Sequence, residues 1–186
     1  MLIYSMGVSA DGFVADRDGR FDWNDTSEEL FRLHIARVGG LSAYLLGRRL
    51  YENMRVWDTD PAMRATELGA TFADIWAALP KVVFSRTLHE VEGNARLASA
   101  PLPEEIAAAL DSAGADVEIG GADLASQAIE LDLVDEFRIF RAPVIAGGGT
   151  RYLPPVGRSL PLELVETRAF DAVVYERYRR PRTQRG

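Results

Sequence analysis

Two apolar runs in this chain each end in a glycine turn that leads into a helical pattern. The first reads Leu45-Leu46-Gly47-Arg48-Arg49 and the second reads Val117-Glu118-Ile119-Gly120-Gly121-Ala122. Glycine at such a junction lets backbone N–H groups approach a ligand phosphate at the positive end of a helix. Two of these turns, the first with paired arginines, predict a site for a phosphorylated cofactor within an α/β sheet.

Short apolar runs alternate with helical patterns along the chain, which is typical of a mostly parallel sheet flanked by helices. Strands are predicted over residues 2–8, 43–46, 82–84, 95–98, 117–119 and 137–142, and helices are predicted to begin near Thr26, Arg49, Ala62, Pro103 and Ala122. Residues 162–170 and 173–179 predict two further strands, joined in an antiparallel hairpin at Asp171-Ala172. We therefore expect an α/β domain of about eight strands over residues 1–178 and a basic, disordered tail over residues 179–186.

The composition excludes several classes of protein. The 186 residues are 47% hydrophobic, which suffices for one core, and the absence of cysteine excludes disulfides and thiolate chemistry. The net charge is −7 although five of the last ten residues are arginine, so the acidic body argues against a nucleic-acid partner. His34 and His89 lack partners at metal-ligand spacing, so we expect no metal. The sequence has neither a basic leader nor a run of about 18 apolar residues, so we expect a cytoplasmic protein with no membrane partner.

Two loops bear on the type of cofactor site. A Rossmann site needs Gly-x-Gly-x-x-Gly after the first strand, whereas Ser9-Ala10-Asp11-Gly12-Phe13-Val14-Ala15 follows it here, which argues against that fold. The second loop, Ile145-Ala146-Gly147-Gly148-Gly149-Thr150, is too rich in glycine for regular structure. It suits the close approach of another backbone or of a ligand, and a flexible loop is the alternative.

A set of motifs in a fixed order carries a resemblance to a known family. The motifs are Ser9 to Ala15, Trp23-Asn24, Leu46-Gly47-Arg48-Arg49-Leu50-Tyr51-Glu52, Val83-Phe84-Ser85-Arg86, Ile119-Gly120-Gly121-Ala122 and Pro143-Val144-Ile145-Ala146-Gly147-Gly148-Gly149. Together they resemble the dihydrofolate reductase superfamily, and within it the bacterial branch related to the reductase domain of riboflavin biosynthesis. The resemblance covers about residues 2–178 and implies a dihydrofolate reductase-like fold and an NADPH-dependent reductase.

The resemblance implies which residues bind the cofactor phosphates. Gly47, Arg48 and Arg49 match the family's phosphate-binding turn, although Leu50 stands where the family has a threonine. Ser85-Arg86 matches the site of the 2′-phosphate. NADPH is therefore favoured over NADH, because a guanidinium suits a doubly charged phosphate.

The remaining cofactor residues are also implied by the resemblance. Gly120-Gly121 matches a pair that the family commonly joins by a cis peptide beneath the nicotinamide. Ala122, Asp123 and Leu124 begin the helix that faces the pyrophosphate, where the acid of Asp123 is unexpected. Ala10 is expected to contact the nicotinamide carboxamide through its backbone.

On the substrate side, the resemblance places Asp11, Trp23 and Glu28 beside the cleft. The branch associates the acid at Asp11 with the substrate, whereas an Asp-Gly pair is also a common turn. Alignment of Trp23 puts Glu28 at the position of the family's active-site carboxylate. Burial beside the nicotinamide would let Glu28 hold a proton near neutrality and act as the proton donor. The alternative is that Glu28 only completes a helix start, as the reciprocal partner of an Asp25 cap.

Two departures from the family bear on the substrate. Leu79 stands where folate enzymes hold the glutamate tail with an arginine, although nearby Lys81 offers a partial replacement. Phe140 stands where the family has a hydroxyl partner for the active-site acid. We therefore expect a small pyrimidine or pterin-like heterocycle rather than folate. The alternative is a non-catalytic nucleotide-binding or dimerisation module with the same fold, and the branch favours a homodimer through the C-terminal strands.

Overall fold

The computed structural model describes residues 1–23, 27–112 and 114–181, and its main element is an eight-stranded sheet. The strands are β1 (Leu2–Val8), β3 (Leu41–Gly47), β4 (Lys81–Phe84), β5 (Ala95–Leu97), β6 (Asp116–Gly120), β7 (Glu136–Arg141), β9 (Glu163–Phe170) and β10 (Val173–Arg179). Their order is β5-β4-β3-β6-β1-β7-β10-β9. The first six in this order pair in parallel, whereas β10 pairs antiparallel with both β7 and β9. The predicted mostly parallel sheet with a C-terminal antiparallel hairpin is confirmed.

Helices cover both faces of the sheet. They are α1 (Glu28–Gly39), α2 (Arg48–Met54), α3 (Val56–Thr59), α4 (Glu67–Ala78), α5 (Leu102–Asp111) and α6 (Ala122–Glu130). Successive strand residues point to opposite faces, so Leu45 packs with the side chains of α5 and α6, whereas Leu46 packs with those of α1 and α4. Among the described residues, no helix combines the length and apolar character needed to cross a bilayer.

Two helices begin later than predicted, because their caps lie elsewhere. The helix expected near Thr26 begins at Glu28, where the Ser27 hydroxyl accepts a hydrogen bond from the Leu30 N–H at 3.3 Å. The segment expected to become a helix near Ala62 is a short 3₁₀ turn over Pro61–Arg64. The α-helix that follows it, α4, begins only after Thr66 has capped the Gly69 N–H.

The last strand extends one residue beyond the predicted boundary between domain and tail. β10 runs to Arg179, whose guanidinium lies 2.6 Å from the carboxylate of fully buried Glu136. Arg180 pairs with Asp132 at 2.9 Å. These two arginines therefore fasten the last strand to the body of the protein rather than belonging to a solvated tail, and residues 182–186 lie outside the described residues.

Candidate functional site

The sheet order brings four separate loops to one edge. β3, β6, β1 and β7 are neighbours and run in parallel, so their carboxyl ends lie side by side. In open α/β sheets, ligands bind outside the carboxyl ends of the strands. The loops that meet there contain residues 47–49, 120–124, 9–12 and 142–149. Motifs that are far apart in the sequence thus form one candidate site.

The two glycine turns contact each other. A Cβ atom on Gly121 would lie 3.5 Å from both Cα and N of Gly47, and one on Gly120 would overlap Leu50 and the Tyr44 ring. Gly121 has a φ of 93°, which favours glycine, and it immediately precedes α6. The predicted cis bond between Gly120 and Gly121 is not found, since no peptide bond in the described segments is cis. The positive φ turns the chain without the cost of a non-proline cis bond.

Within the described residues, the backbone N–H groups at the two glycine turns donate no hydrogen bond to a capping side chain. Gly47 precedes α2 and Gly121 precedes α6, and among the described residues no side chain caps either helix. The first N–H groups of a helix need external partners and carry a partial positive charge. The paired turns therefore present donors suited to an anion at the centre of the sheet edge.

A group of cationic and hydroxyl side chains lies beside the first glycine turn. Arg48 donates to Glu52 at 2.8 Å and to the Thr87 hydroxyl at 2.7 Å, which ties α2 to the loop after β4. In that loop the Ser85 hydroxyl accepts the N–H groups of Thr87 and Leu88 at 3.1 and 3.0 Å. The arginine of the first turn and Ser85-Arg86 are thus brought together, as the resemblance implied. The side chains of Arg48, Arg49 and Arg86 are solvent-exposed.

The start of α6 combines an apolar anchor with an exposed acid. Leu124 is buried in the core, Ala122 is partly buried and Asp123 is exposed. The Asp123 carbonyl accepts hydrogen bonds from Ser126 and Gln127 at 2.9 and 3.1 Å, whereas its carboxylate lies in the first turn of the helix. An acid in that turn stabilises the helix through its dipole. It also opposes the binding of an anion at the same place.

The loop after β1 differs from the resemblance-based expectation. The Ala10 N–H donates to the Val144 carbonyl at 2.7 Å, and the Ala10 carbonyl accepts from Arg141 at 3.2 Å. The backbone of Ala10, expected to contact a carboxamide, thus has protein partners at both its N–H and its carbonyl. Asp11 accepts hydrogen bonds from Ser9, Ala146 and Gly147. The Ser9 hydrogen bond, supported by the two backbone donors, lowers the pKa of Asp11 to about 2, so this carboxylate is ionised at neutral pH.

The burial expected for Glu28 is not observed. Its side chain is 70% exposed and pairs with Arg32, one helical turn away, at 2.8 Å. Ser27 is the N-cap of α1, and the predicted cap Asp25 lies outside the described residues, as does Asn24. Trp23 is partly buried, and its indole N–H has no hydrogen-bond partner in the described structure. Glu28 therefore lacks the apolar surroundings on which its proposed role as proton donor depends.

Apolar side chains occupy the place where the acid and its hydroxyl partner were expected. Leu30 is the first residue of α1 to be buried against the sheet, and it packs in one cluster with Phe140. The His34 ring lies 4.5 Å from the Phe140 ring, and burial lowers the pKa of His34 to about 3, so its imidazole is neutral. We conclude that this face of the site is lined mainly by apolar and neutral side chains near Phe140, with the Arg37 guanidinium 5.6 Å from the centroid of the Phe140 ring.

Sequence reasoning missed a buried ion pair beneath α1. Arg37 of α1 pairs with Glu118 of β6, and both side chains are almost fully buried. Within the described residues, Arg37 Nε, Glu118 Oε1 and the nearby Ser5 hydroxyl of β1 are buried without hydrogen-bond partners. The signal was present in the sequence, since Glu118 is an acid between Val117 and Ile119 in a strand that is apolar on both sides.

Lys81 cannot take the place of an arginine that holds a glutamate tail. Its side chain is buried and donates to the carbonyls of Trp76 and Leu79, the latter at 3.0 Å. These bonds close the C-terminal end of α4. Leu79 itself is buried at 4% exposure. The partial replacement considered from the sequence is therefore wrong, because the amine is already committed to the helix end.

Comparison with known proteins identifies the family. The model of the RibD C-terminal domain family matches residues 1–175, so the chain belongs to that family. Uncharacterized protein YyaP of Bacillus subtilis (strain 168) is 28% identical over 179 residues, which cover 94% of this chain and 92% of that protein.

Solved structures share the fold. A putative riboflavin biosynthesis protein from Shewanella sp. PV-4 superposes with a TM-score of 0.76 and 23% identity, covering 97% of this chain and 99% of that one. Dihydrofolate reductase from Enterococcus faecalis, complexed with NADP(H), gives a TM-score of 0.62 and 19% identity, covering 97% and 96%. The fold is therefore dihydrofolate reductase-like, and the resemblance to the riboflavin-related branch of that superfamily is confirmed.

Proposed function

We propose that this protein is an NADPH-dependent reductase that transfers hydride to a small heterocyclic substrate at the carboxyl edge of the sheet. The observation that carries the proposal is the contact between the Gly47 and Gly121 turns. It places two uncapped helix starts beside Arg48 and the Ser85-Arg86 loop. That the dihydrofolate reductase with the same fold was solved with NADP(H) supports this choice of cofactor.

Each group at the phosphate end has a distinct part in this proposal. The N–H groups that follow Gly47 and Gly121 bind the pyrophosphate, because they are uncapped donors at helix starts. Arg48, Arg49 and Arg86 supply positive charge, and Arg86 binds the 2′-phosphate. Bound NADPH supplies the hydride, and the protein supplies position and electrostatics.

The proton comes from water rather than from a carboxylic acid of the protein in this proposal. Glu28 is solvated and paired with Arg32, and Asp11 is ionised and accepts three hydrogen bonds. A general acid must carry a proton within reach of the substrate. Neither of the two acids indicated by the sequence has these properties in the described structure.

The substrate is proposed to be a small pyrimidine or pterin-like heterocycle rather than folate. The side chain at the folate-tail position is a buried leucine, and Lys81 is used to close α4. Where the family has an acid and its hydroxyl partner, buried Leu30 and Phe140 lie in one apolar cluster. A charged glutamate tail would find no cationic partner among these groups.

A non-catalytic nucleotide-binding module with the same fold is the second candidate. Asp123 favours it, because a carboxylate in the first turn of α6 repels a pyrophosphate. The lack of a buried acid at Glu28 also fits a protein that binds nucleotide without reducing anything. Under either candidate we propose a homodimer, because the edge strand β9 exposes Leu164 and Val165 at 59% and 41%.

Titration followed by turnover tests the proposal. Calorimetry with NADPH should give a dissociation constant of about 1–10 μM, within the range common for enzyme cofactors. NADPH oxidation is then followed by absorbance against a panel of pterins and pyrimidines. Oxidation that depends on one of these substrates supports the reductase, whereas tight binding without oxidation by any of them supports the module. No binding at about 1 mM NADPH, equivalent to less than about 4 kcal/mol of binding free energy, would contradict both candidates.

A further inference from the structure

Asp11 joins two loops that the sequence separates by more than a hundred residues. Its Oδ1 accepts the Ala146 N–H at 3.0 Å, and its Oδ2 accepts the Gly147 N–H at 2.8 Å. The Ser9 hydroxyl donates to Oδ1 at 2.7 Å and accepts the Phe13 N–H at 3.0 Å, and these two bonds fix the orientation of the carboxylate. Hydrogen bonds to a charged acceptor are about twice as strong as neutral ones. Both oxygens of Asp11 thus hold the loop after β7.

Arg17 fastens the same loop from the other side. Its Nη2 donates to the Gly147 carbonyl at 2.8 Å. A Cβ atom on Gly148 would lie 2.5 Å from Arg17 Nε, and one on Gly149 would overlap the backbone of Ala15. Close approach of another backbone, one of the interpretations of the sequence, therefore explains Gly149, whereas positive φ angles favour glycine at Gly147 and Gly148. The glycines let the two segments of the chain approach each other, and hydrogen bonds made by Asp11 and Arg17 hold the segments together.

Backbone contacts close the remaining sides of this arrangement. The Ala10 N–H donates to Val144, and the Tyr152 N–H donates to Gly12 at 3.0 Å. Between them, β2 (Phe13–Ala15) pairs with β8 (Thr150–Arg151). We call residues 9–17 and 144–152 the paired loops. They form one connected body at the carboxyl ends of β1 and β7, next to the glycine turns.

We propose that Asp11 is a positioning residue, which holds residues 145–149 through the Ala146 and Gly147 amides so that the paired loops form a fixed wall beside the nicotinamide end of the cofactor. This inference rests on the proposed function. It differs from the sequence-based expectation that Asp11 contacts the substrate, because the polar atoms of the carboxylate are directed at protein donors. Binding is tighter when the protein need not be ordered at the moment of binding.

The test compares Asp11→Asn and Asp11→Ala with Asp18→Asn as the matched control. Asp18 lies on the same loop and pairs only with exposed Arg20 in the described structure. Amide hydrogen exchange of residues 145–149 should quicken about 10-fold or more in Asp11→Ala, and less in Asp11→Asn. Arg17→Gln, an exposed substitution, should quicken it as well. Asp18→Asn should leave the exchange unchanged.

Two ligands separate positioning from a general loss of structure. Asp11→Ala should weaken NADPH binding about 5- to 10-fold and leave the affinity for 2′,5′-ADP unchanged, because that fragment lacks the nicotinamide end. Equal weakening of both ligands would overturn the positioning role and indicate a structural one. Unchanged amide hydrogen exchange of residues 145–149 in Asp11→Ala would contradict the claim that Asp11 holds this loop. If wild-type protein binds neither NADPH nor 2′,5′-ADP, the proposed function fails together with the positioning role, whereas the exchange rates still decide whether Asp11 holds the loop.

Discussion

The two halves of the sheet edge use their polar groups in opposite ways. At the glycine turns after β3 and β6, the helix starts have no side-chain caps and Arg49 and Arg86 are exposed. At the paired loops after β1 and β7, the side chains of Ser9, Asp11 and Arg17 are bonded to the protein itself. Free donors suit a charged phosphate, and a rigid wall suits a planar ring. In the proposed function, the first half therefore binds the phosphates of the cofactor, and the second half forms a wall beside its ring.

The largest effect on this comparison is expected from Gly121→Ala. A Cβ atom there would be in ordinary contact with Gly47, but L-amino acids rarely adopt a φ of 93°, so the strained turn shifts and its N–H groups lose their alignment. Loss of about 2 kcal/mol of phosphate bonding corresponds to about 30-fold weaker binding of NADPH and of 2′,5′-ADP. Calorimetric titration with both ligands measures the loss.

Gly93→Ala is the matched control for that substitution. Gly93 also has a positive φ, of 70°, and a Cβ atom added there would have no other atom within 4 Å. It precedes Asn94, whose carbonyl accepts the Lys81 N–H at the end of β4 opposite to Ser85-Arg86. Its stability should fall by about 1–2 kcal/mol, as for a left-handed non-glycine residue, with unchanged affinity for NADPH. Equal losses of affinity in the two variants would mean that backbone strain alone, and not the phosphate turn, causes the effect.

A smaller effect is expected from Arg86→Gln. Removal of one exposed guanidinium should weaken NADPH binding about 10-fold, or about 1.4 kcal/mol, and leave NADH binding unchanged, because NADH has no 2′-phosphate. The control is Arg64→Gln, which removes an exposed arginine that pairs with Asp74 and belongs to none of the loops of the candidate site. Parallel loss of NADPH and NADH affinity in Arg86→Gln would remove this arginine from the 2′-phosphate site.

Asp123→Asn should act in the opposite direction. Loss of a negative charge from the first turn of α6 should tighten NADPH binding about threefold at low salt, and the gain should shrink as salt screens the site. The variant should also lose about 0.3–1 kcal/mol of helix stabilisation. Titrations at two ionic strengths measure the affinity, and unchanged binding in the variant would mean that the Asp123 carboxylate points away from the ligand.

The smallest effect is expected from Glu28→Gln. Its ion pair with Arg32 is exposed and spans one helical turn, and such pairs contribute about 0.3–0.5 kcal/mol. Turnover should change less than about twofold, because no step of the proposed reaction uses this carboxylate. Steady-state kinetics on a substrate found in the panel provide the measurement. A fall of about 100-fold in kcat would restore Glu28 as the proton donor.

The sequence was most informative where one local rule decides the structure. The strands and the C-terminal hairpin follow from apolar runs and turn residues, whereas the contact between Gly47 and Gly121 also depends on the pairing of β3 with β6. Glu28 was misplaced because neighbouring serine, threonine and aspartate residues compete to cap α1, and the position of the cap affects which side chains face the sheet. In the structure Leu30, rather than an acid, lies in one cluster with Phe140.

Long-range partners were beyond sequence reasoning. Nothing local indicates that Asp11 meets the amides of Ala146 and Gly147, or that Arg37 meets Glu118. Such pairs are set by the sheet order, and the order of parallel strands is not encoded in any one segment. Lys81 was misjudged for the same reason, because its acceptors are carbonyls at the end of the preceding helix.

The central claim is that open N–H groups at two touching glycine turns bind the phosphates of NADPH. Amide chemical-shift mapping during titration with 2′,5′-ADP and then NADPH tests it most directly. The account predicts that the amides of residues 85–87 respond to both ligands, that those of 47–49 and 121–123 respond most strongly to NADPH, and that those of 145–149 respond to NADPH alone. Shifts confined to other parts of the chain, with the two glycine turns unchanged, would contradict it.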